Sequence, residues 1–407
     1  MSIKAALHAH LANHDLDARV ATLIAQAVGV PGLADRFTRA GVDPQGIRGV
    51  ADLTCLPVLP KDAVIAQQAQ APPFGGLLAP DARVARVFQS PGPLYEPQLV
   101  GDDYWRWGQV FNDLGLGPGD TVLNCFGYHL SPAGAMMEAG VHATGASVVP
   151  GGIGNQDLQV RAIADLGVSA YCGLPSYLKV LIERFDEQAL PSRRWRLERA
   201  MVTAEPLPDS LRELLTERVP TVRMAYGTGE TGLLAYETGD GHGLALADGV
   251  LVQVCDPTGT PVEDEREGEV VVTVLRPHYP LVRFGTGDRS GWMVAPDGSL
   301  RLRGVLGRTG AAVKVKGMFL HPSQAATLMS GVEGVEDYRF VIGRQDHVDT
   351  LRCEIVATDG DDPTALADLT GQIAQRVRDG LRFRAEVVAV SRLTPGEGPL
   401  LDVREWD

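Results

Sequence analysis

The chain has 407 residues, 44% hydrophobic and 22% charged, with a formal net charge of -14. That balance suits a compact protein able to bury more than one core, and two domains is the starting expectation. The acidic excess argues against a broad nucleic-acid surface, which needs clustered Lys and Arg to neutralise phosphate, and no apolar run reaches the length of a membrane span.

The first stretch, "MSIKAALHAHLANHD", lacks the basic flank, apolar core and small-residue cleavage site of a signal peptide, so a cytoplasmic location is expected. Residues 1 to about 85 read as short helical pieces with proline breaks, a cap rather than a catalytic layer. From Val84 onward, strand-length apolar runs alternate with amphipathic stretches. "TVLNCFGY" precedes "SPAGAMMEAGVHATG", "SVVP" precedes "DLQVRAIADLG", "SAYCGLP" precedes "SYLKVLIERFDEQ", and "RAMVTAE" precedes "PDSLRELLTERV". The alternation predicts β-α units around a mostly parallel sheet over 85–240, with ligands beyond the carboxyl ends of its strands.

Between 249 and 304 the texture turns all-β, with "VLVQVCDP", "GEVVVTVL", "PLVRFGTGD" and "LRLRGVLG" parted by Gly, Pro and Asp, which suggests a small β-barrel-like part. After Gly307 the order strand (312–320), helix (322–331), strand (335–343), strand (350–357), helix (363–380), strand (385–391) is a split β-α-β arrangement. The fold class expected is α/β: a large domain over 1–307 and a small α+β domain over 311–407. Five cysteines (Cys55, Cys125, Cys172, Cys255 and Cys353) without CxxC spacing read as reduced, mostly buried thiols.

Four glycine-rich segments at strand ends bear chemistry: "QSPGPLYEP" (89–97), "YGTGETG" (226–232), "RFGTGD" (283–288) and "GRTGAAVKVKG" (307–317). Glycines there let backbone N–H groups approach an anion, Glu230 offers a carboxylate to magnesium, and Asp288 can accept from ribose hydroxyls. In order and content these segments resemble the adenylate-forming acid ligases, in particular the phenylacetate-CoA ligase branch. "GLPSYL" (173–178), "TAEPLPDSLR" (203–212) and "FGYHLSPAGAMMEAGVHATGASVVP" (126–150) add to the resemblance, which runs from about Arg86 to the C-terminus.

The resemblance implies an AMP-forming acid–CoA ligase. Such an enzyme joins an acid, here expected to be aromatic, to ATP as an acyl-adenylate, then passes the acyl group to coenzyme A. It implies Ser90, Gly92, Ala204, Glu205, Pro206, Tyr226, Gly227, Asp288 and Arg308 as nucleotide-binding. Tyr226 would stack on adenine, with Ala204, Glu205 and Pro206 bordering the base, Asp288 on the ribose and Arg308 near the hinge. Glu230 would be the magnesium carboxylate, and Lys316 with Gly317 would lie near the coenzyme A face. Tyr128, His129, Ala133 and Gly227 would line the acyl pocket, where the imidazole of His129 is also a candidate base. The stretch "LLAYETGDGHG" lacks the cysteines of a metal site found in some relatives, so no zinc is expected. The implied partner is a small-molecule acid or acyl-CoA, without nucleic acid or membrane, and a homodimer is the default expectation.

The departures from the family pattern concentrate on phosphate handling. In "SPGPLYEP" two threonines of the phosphate loop become Pro93 and Leu94, a glycine becomes Tyr95, and the lysine becomes Glu96. Gly229 replaces a Thr or Ser, Gly310 replaces the hinge aspartate, and Pro399 stands where the C-terminal catalytic lysine would be; Lys314 or Lys316 is the candidate substitute. ATP is therefore expected to bind poorly. Two alternatives stand beside the ligase. One is a diverged member that no longer adenylates and uses a preactivated acyl (CoA) or other small substrate; the other is a noncatalytic binding relative.

Overall fold

A computed structural model describes residues 1–90, 94–310, 313–315, 318–346, 348–358, 363–381 and 384–404. The chain divides into two compact units, Met1–Leu207 with Arg212–Thr309, and Gly310–Asp407 with the short stretch Pro208–Leu211.

The first unit is organised on a nine-stranded sheet. From edge to edge it runs Trp292–Val294, Leu300–Leu302, Leu244–Leu246, Gly232–Tyr236, Thr221–Thr228, Arg199–Val202, Ala170–Gly173, Thr121–Asn124 and Ser147–Pro150. The last five are mutually parallel, whereas every pairing before them is antiparallel. Sequence alternation predicts the parallel half correctly. Within 85–240 the sheet is mostly parallel as expected; the antiparallel half begins after Thr228, where the chain returns through a tight turn instead of a crossover helix, and is completed by strands from 244–302.

The helices between the parallel strands carry their apolar residues on one face. Pro175–Glu187 opens with Pro175, where a missing N–H has no helical partner to lose, and buries Leu178, Leu181, Ile182 and Phe185 at helical spacing. Gln156–Leu166 ends at Gly167, whose φ of 62° is the left-handed stop that glycine adopts without steric cost.

A second sheet is built from Val250–Cys255, Gly268–Val274 and Phe284–Ser290, with Leu59–Pro60 and Gly307–Arg308 both pairing with Phe284–Ser290. It is open, and the strands at 292–294 and 300–302 join the nine-stranded sheet. Among the described residues no closed barrel forms, which corrects the barrel-like reading of 249–304. Short strands with frequent turns fit a barrel and a pair of packed sheets equally well, so local pattern alone does not decide between them.

The second unit holds a four-stranded sheet in the order Glu386–Ala389, Val348–Ala357, Val335–Gln345, Leu400–Asp402. Phe340, Ile342, Leu351, Cys353 and Ile355 from its strands meet Ile373, Val377 and Leu381 of the helix Pro363–Leu381. Two details differ from expectation. The stretch expected as one strand folds as a hairpin, Val313–Val315 against Met318–Leu320, apart from the four-stranded sheet. The C-terminal residues add a strand, parallel to Val335–Gln345, led in by Pro399, whose carbonyl accepts from Phe340 N at 2.9 Å.

Candidate functional site

The site is assembled in the first unit from the N-terminal segment and both sheets. The N-terminal helices are fastened by arginines. Arg36 donates to the carbonyls of Val282 (2.6 Å) and Pro57 (2.8 Å), while buried Arg283 donates to those of Leu53 (3.2 Å) and Leu56 (3.0 Å). Leu59–Pro60 then runs parallel to Phe284–Gly285, so the helix Lys61–Gln70 starts beside the strand that bears Asp288. Farther along this helix, buried Gln68 accepts from Tyr95 N and donates to Tyr95 O, both at 2.8 Å, in the manner of a paired backbone. These bonds fix the face of the strand Leu94–Leu99 on which Glu96 points inward.

Three ionisable side chains converge as a result. Lys61 Nζ lies 2.6 Å from Glu230 Oε1, with both side chains largely buried. Glu96, 3% exposed, accepts from Ser90 Oγ at 2.7 Å through Oε2, and its Oε1 has no hydrogen-bond partner among the described residues. Burial, together with the Glu230 charge, pushes the Glu96 carboxyl up to about 8. Burial alone would raise Glu230 and lower Lys61, but their attraction and hydrogen bond outweigh it: Glu230 is held below, and Lys61 above, its ordinary value. At neutral pH the cluster therefore balances itself, one ammonium against one carboxylate beside a neutral acid.

Glu230 has an ammonium as its counter-ion, and no group of three or more His, Cys, Asp or Glu side chains able to hold a metal occurs among the described residues; a magnesium ion carried on phosphate oxygens needs only one or two protein carboxylates.

A second constellation lies where the strands 221–228 and 284–290 face one another. Tyr226, 6% exposed, donates its hydroxyl to Asp288 Oδ2 at 2.9 Å, and Arg308 donates to Asp288 Oδ1 at 2.8 Å from the position directly opposite in register. Burial, with the Asp288 carboxylate beside it, keeps the Tyr226 phenol protonated far above its ordinary range. Ala204 has φ 72°, a left-handed conformation that an alanine adopts only where surrounding contacts impose it. The next residue, Glu205, is 5% exposed and accepts from Ser176 Oγ at 2.6 Å, which turns its carboxylate toward the helix Pro175–Glu187; Pro206 is exposed.

Asn124 organises the segment expected to line the acyl pocket. It donates to Tyr128 Oη (2.8 Å) and to the carbonyl of Gly134 (2.8 Å), and Tyr128 in turn donates to Glu138 Oε2 at 3.0 Å. Ala133 is half-buried and opens the helix Ala133–His142. His129 is exposed, so it is not a packed core histidine. Gly227 faces Trp107: a Cβ there would lie 2.9 Å from the indole Cζ2 and 2.5 Å from the carbonyl oxygen of Gly232.

The structure thus brings Ser90, Glu230 and Glu96 together, and Tyr226, Asp288 and Arg308 together. Gly92, Lys316 and Gly317 lie outside the described residues; Lys314 lies opposite Phe319 in the register of the 313–320 hairpin. Sequence reasoning missed Lys61 and Gln68, because the N-terminal stretch reads as a cap.

Comparison with known proteins agrees with this architecture. A family model described as AMP-binding enzyme matches residues 103–274. A phenylacetate-coenzyme A ligase of Thermus thermophilus is 28% identical over 406 residues, covering 91% of this chain and 89% of the relative. One from Escherichia coli is 25% identical over 344 residues, covering 80% and 78%. Among solved structures, a 2-hydroxyisobutyryl-CoA ligase superposes with TM-score 0.86 at 23% identity, covering 96% of this chain and 89% of that one. An amide bond synthetase from Marinactinospora thermotolerans shares the fold at TM-score 0.57 and 18% identity. With the ordered motifs, these likenesses make the chain similar to the phenylacetate-CoA ligases in sequence and to the acyl-CoA ligases in fold, with residues 103–274 matching the AMP-binding enzyme family.

Proposed function

We propose that the protein is an AMP-forming acid–CoA ligase-like enzyme that handles an acyl-adenylate and transfers its acyl group to the thiol of coenzyme A. The observation that carries this reading is the buried Tyr226–Asp288–Arg308 set, a phenol and a guanidinium holding one carboxylate beside the strand ends. In this reading Asp288 turns a carboxylate oxygen to the ribose hydroxyls, Tyr226 offers its ring to adenine, and Arg308 balances the carboxylate. Ala204, Glu205 and Pro206 form the rim around the base, and Tyr128, His129, Ala133 and Gly227 border the acyl group. The chemistry needs an electrophilic acyl carbon, a leaving phosphate and a thiol held in line. Aromatic acids are the first substrates to try, because the relatives named above are phenylacetate-CoA ligases.

The test is thioester formation by the full chain with coenzyme A, in two arms: a panel of aromatic and short aliphatic acids with ATP and magnesium, and preformed acyl-adenylates without ATP. Loss of free thiol together with AMP release in either arm supports the reading. No thiol loss in both arms, with no stabilisation of the protein by AMP, would end it.

A further inference from the structure

The stretch that resembles the phosphate loop carries a carboxyl, that of Glu96, where the resemblance implies a lysine, and neighbouring residues accommodate it. Glu96 is 3% exposed, is tied through Oε2 to Ser90, and leaves Oε1 without a hydrogen-bond partner among the described residues. A Cβ on residue 229 would stand 2.6 Å from that Oε1 and 3.2 Å from Glu96 Cδ, so the absence of a side chain at Gly229 is what makes room for the acid. The ammonium next to it, on Lys61, is engaged at 2.6 Å by Glu230.

A polyphosphate tail would bring several further negative charges into a buried space whose cation already has a counter-ion. In low dielectric, such an imbalance outweighs the hydrogen bonds a phosphate would gain. A nucleoside monophosphate, or its acyl ester, has no such tail.

We propose that Glu96, admitted by Gly229, makes this site selective for AMP and acyl-adenylate over ATP, so that the chain carries out the thioester-forming half of the ligase chemistry on an acyl-adenylate supplied to it. The inference rests on the ligase reading and narrows its substrate. In the step itself, the thiol sulfur of coenzyme A forms a bond to the acyl carbon and the bond from that carbon to the phosphate oxygen breaks. The electron pair leaves with AMP, and the thiol proton passes to water. Nothing is oxidised or reduced. The supplying reaction must be of the class that joins a carboxylate to the AMP portion of ATP with release of pyrophosphate, carried out by another protein.

Calorimetric titration of the full chain with AMP, ATP–magnesium and a non-hydrolysable acyl-sulfamoyl adenosine tests this, alongside the two thioester arms above. The expected result is dissociation constants for AMP and the sulfamate at least about tenfold below that for ATP–magnesium. In Glu96→Ala the gap closes to within about threefold, through tighter ATP binding. Should Glu96→Ala not fold, Glu96→Thr vacates much of the same volume and the gap should narrow in the same direction, whereas Glu96→Gln, which fills the same space and is as neutral as the protonated acid, should keep the gap. ATP–magnesium binding wild type as tightly as AMP, an unchanged gap in the Ala and Thr variants, or pyrophosphate release from acid and ATP as fast as thioester formation overturns the inference and leaves the ligase reading standing. Failure of every adenine nucleotide to bind, with no thioester in either arm, overturns both.

Discussion

The carboxyl of Glu96 and the bare α-carbon of Gly229 share one volume: a β-carbon at 229 would sit 2.6 Å from Glu96 Oε1. The two departures from the family pattern, six residues after Ser90 and one before Glu230, are therefore a single packing event.

Gly229→Ser should force the buried Glu96 side chain off its rotamer at a cost of about 1–3 kcal/mol, the usual range for overpacking a filled site. Combining it with Glu96→Ala should remove most of that cost, because the space is then vacated. Denaturant unfolding of the two single variants and the double variant checks this as a double-mutant cycle, and additive effects would mean that the two positions do not share the space.

The raised Glu96 carboxyl has a definite sign in a pH titration of stability. Below its ordinary value of 4.5 both the folded and the unfolded chain hold the proton. Above it the unfolded chain releases the proton while the folded chain retains it up to about 8, so the contribution of this group to stability falls as pH rises through that window. The slope from one such group is at most about 1.4 kcal/mol per pH unit. Glu96→Gln has no proton to lose. The difference in stability between Glu96→Gln and wild type should therefore widen in favour of the variant from pH 5 to about pH 8. Parallel melting curves of the two proteins over that range would contradict the assignment.

Lys61 is the least dispensable member of the cluster. Lys61→Met keeps the aliphatic stem but leaves Glu230 buried without its ammonium, a loss of about 3–5 kcal/mol for a broken buried pair. The partner change Glu230→Gln in the same chain should recover part of that loss by removing the orphaned charge. Chemical denaturation of the single and double variants measures both effects; a Lys61→Met protein as stable as wild type would show that the ion pair is not made in solution.

Much of the fold was legible because burial on both faces forces continuous apolar runs: "TVLN", "AYCG" and "RAMV" are all strands of the parallel half. The boundary between barrel and open sheets was not legible, since Val250–Cys255 and Gly268–Val274 would read alike in either. Ser90, Glu230 and Glu96 stood out by motif, and so did Tyr226 and Asp288. Lys61 did not, because its role depends on Arg36 and Arg283 fastening a distant segment to the second sheet. One signal was present: lysine is rare in this chain, and Lys61 begins a helix immediately after Pro60. A cation there opposes the positive end of the helix dipole and requires a compensating anion.

The Tyr226 hydroxyl offers a separate handle on the nucleotide end of the site. Tyr226→Phe retains the ring and so retains any stacking on a base, but takes the phenolic donor away from Asp288 Oδ2 and leaves Arg308 to hold that carboxylate. Stability should drop by about 1–2 kcal/mol, the range for losing a buried hydrogen bond to a charged group. If Asp288 holds ribose, its freed oxygen loses the orientation the phenol gave it, and AMP affinity should fall by about three- to tenfold. Adenine alone should lose little, because its contact is with the ring. Calorimetric titration of the variant with AMP and with adenine separates the two contributions. Equal losses for both ligands would mean that Tyr226 acts through overall packing and not through Asp288.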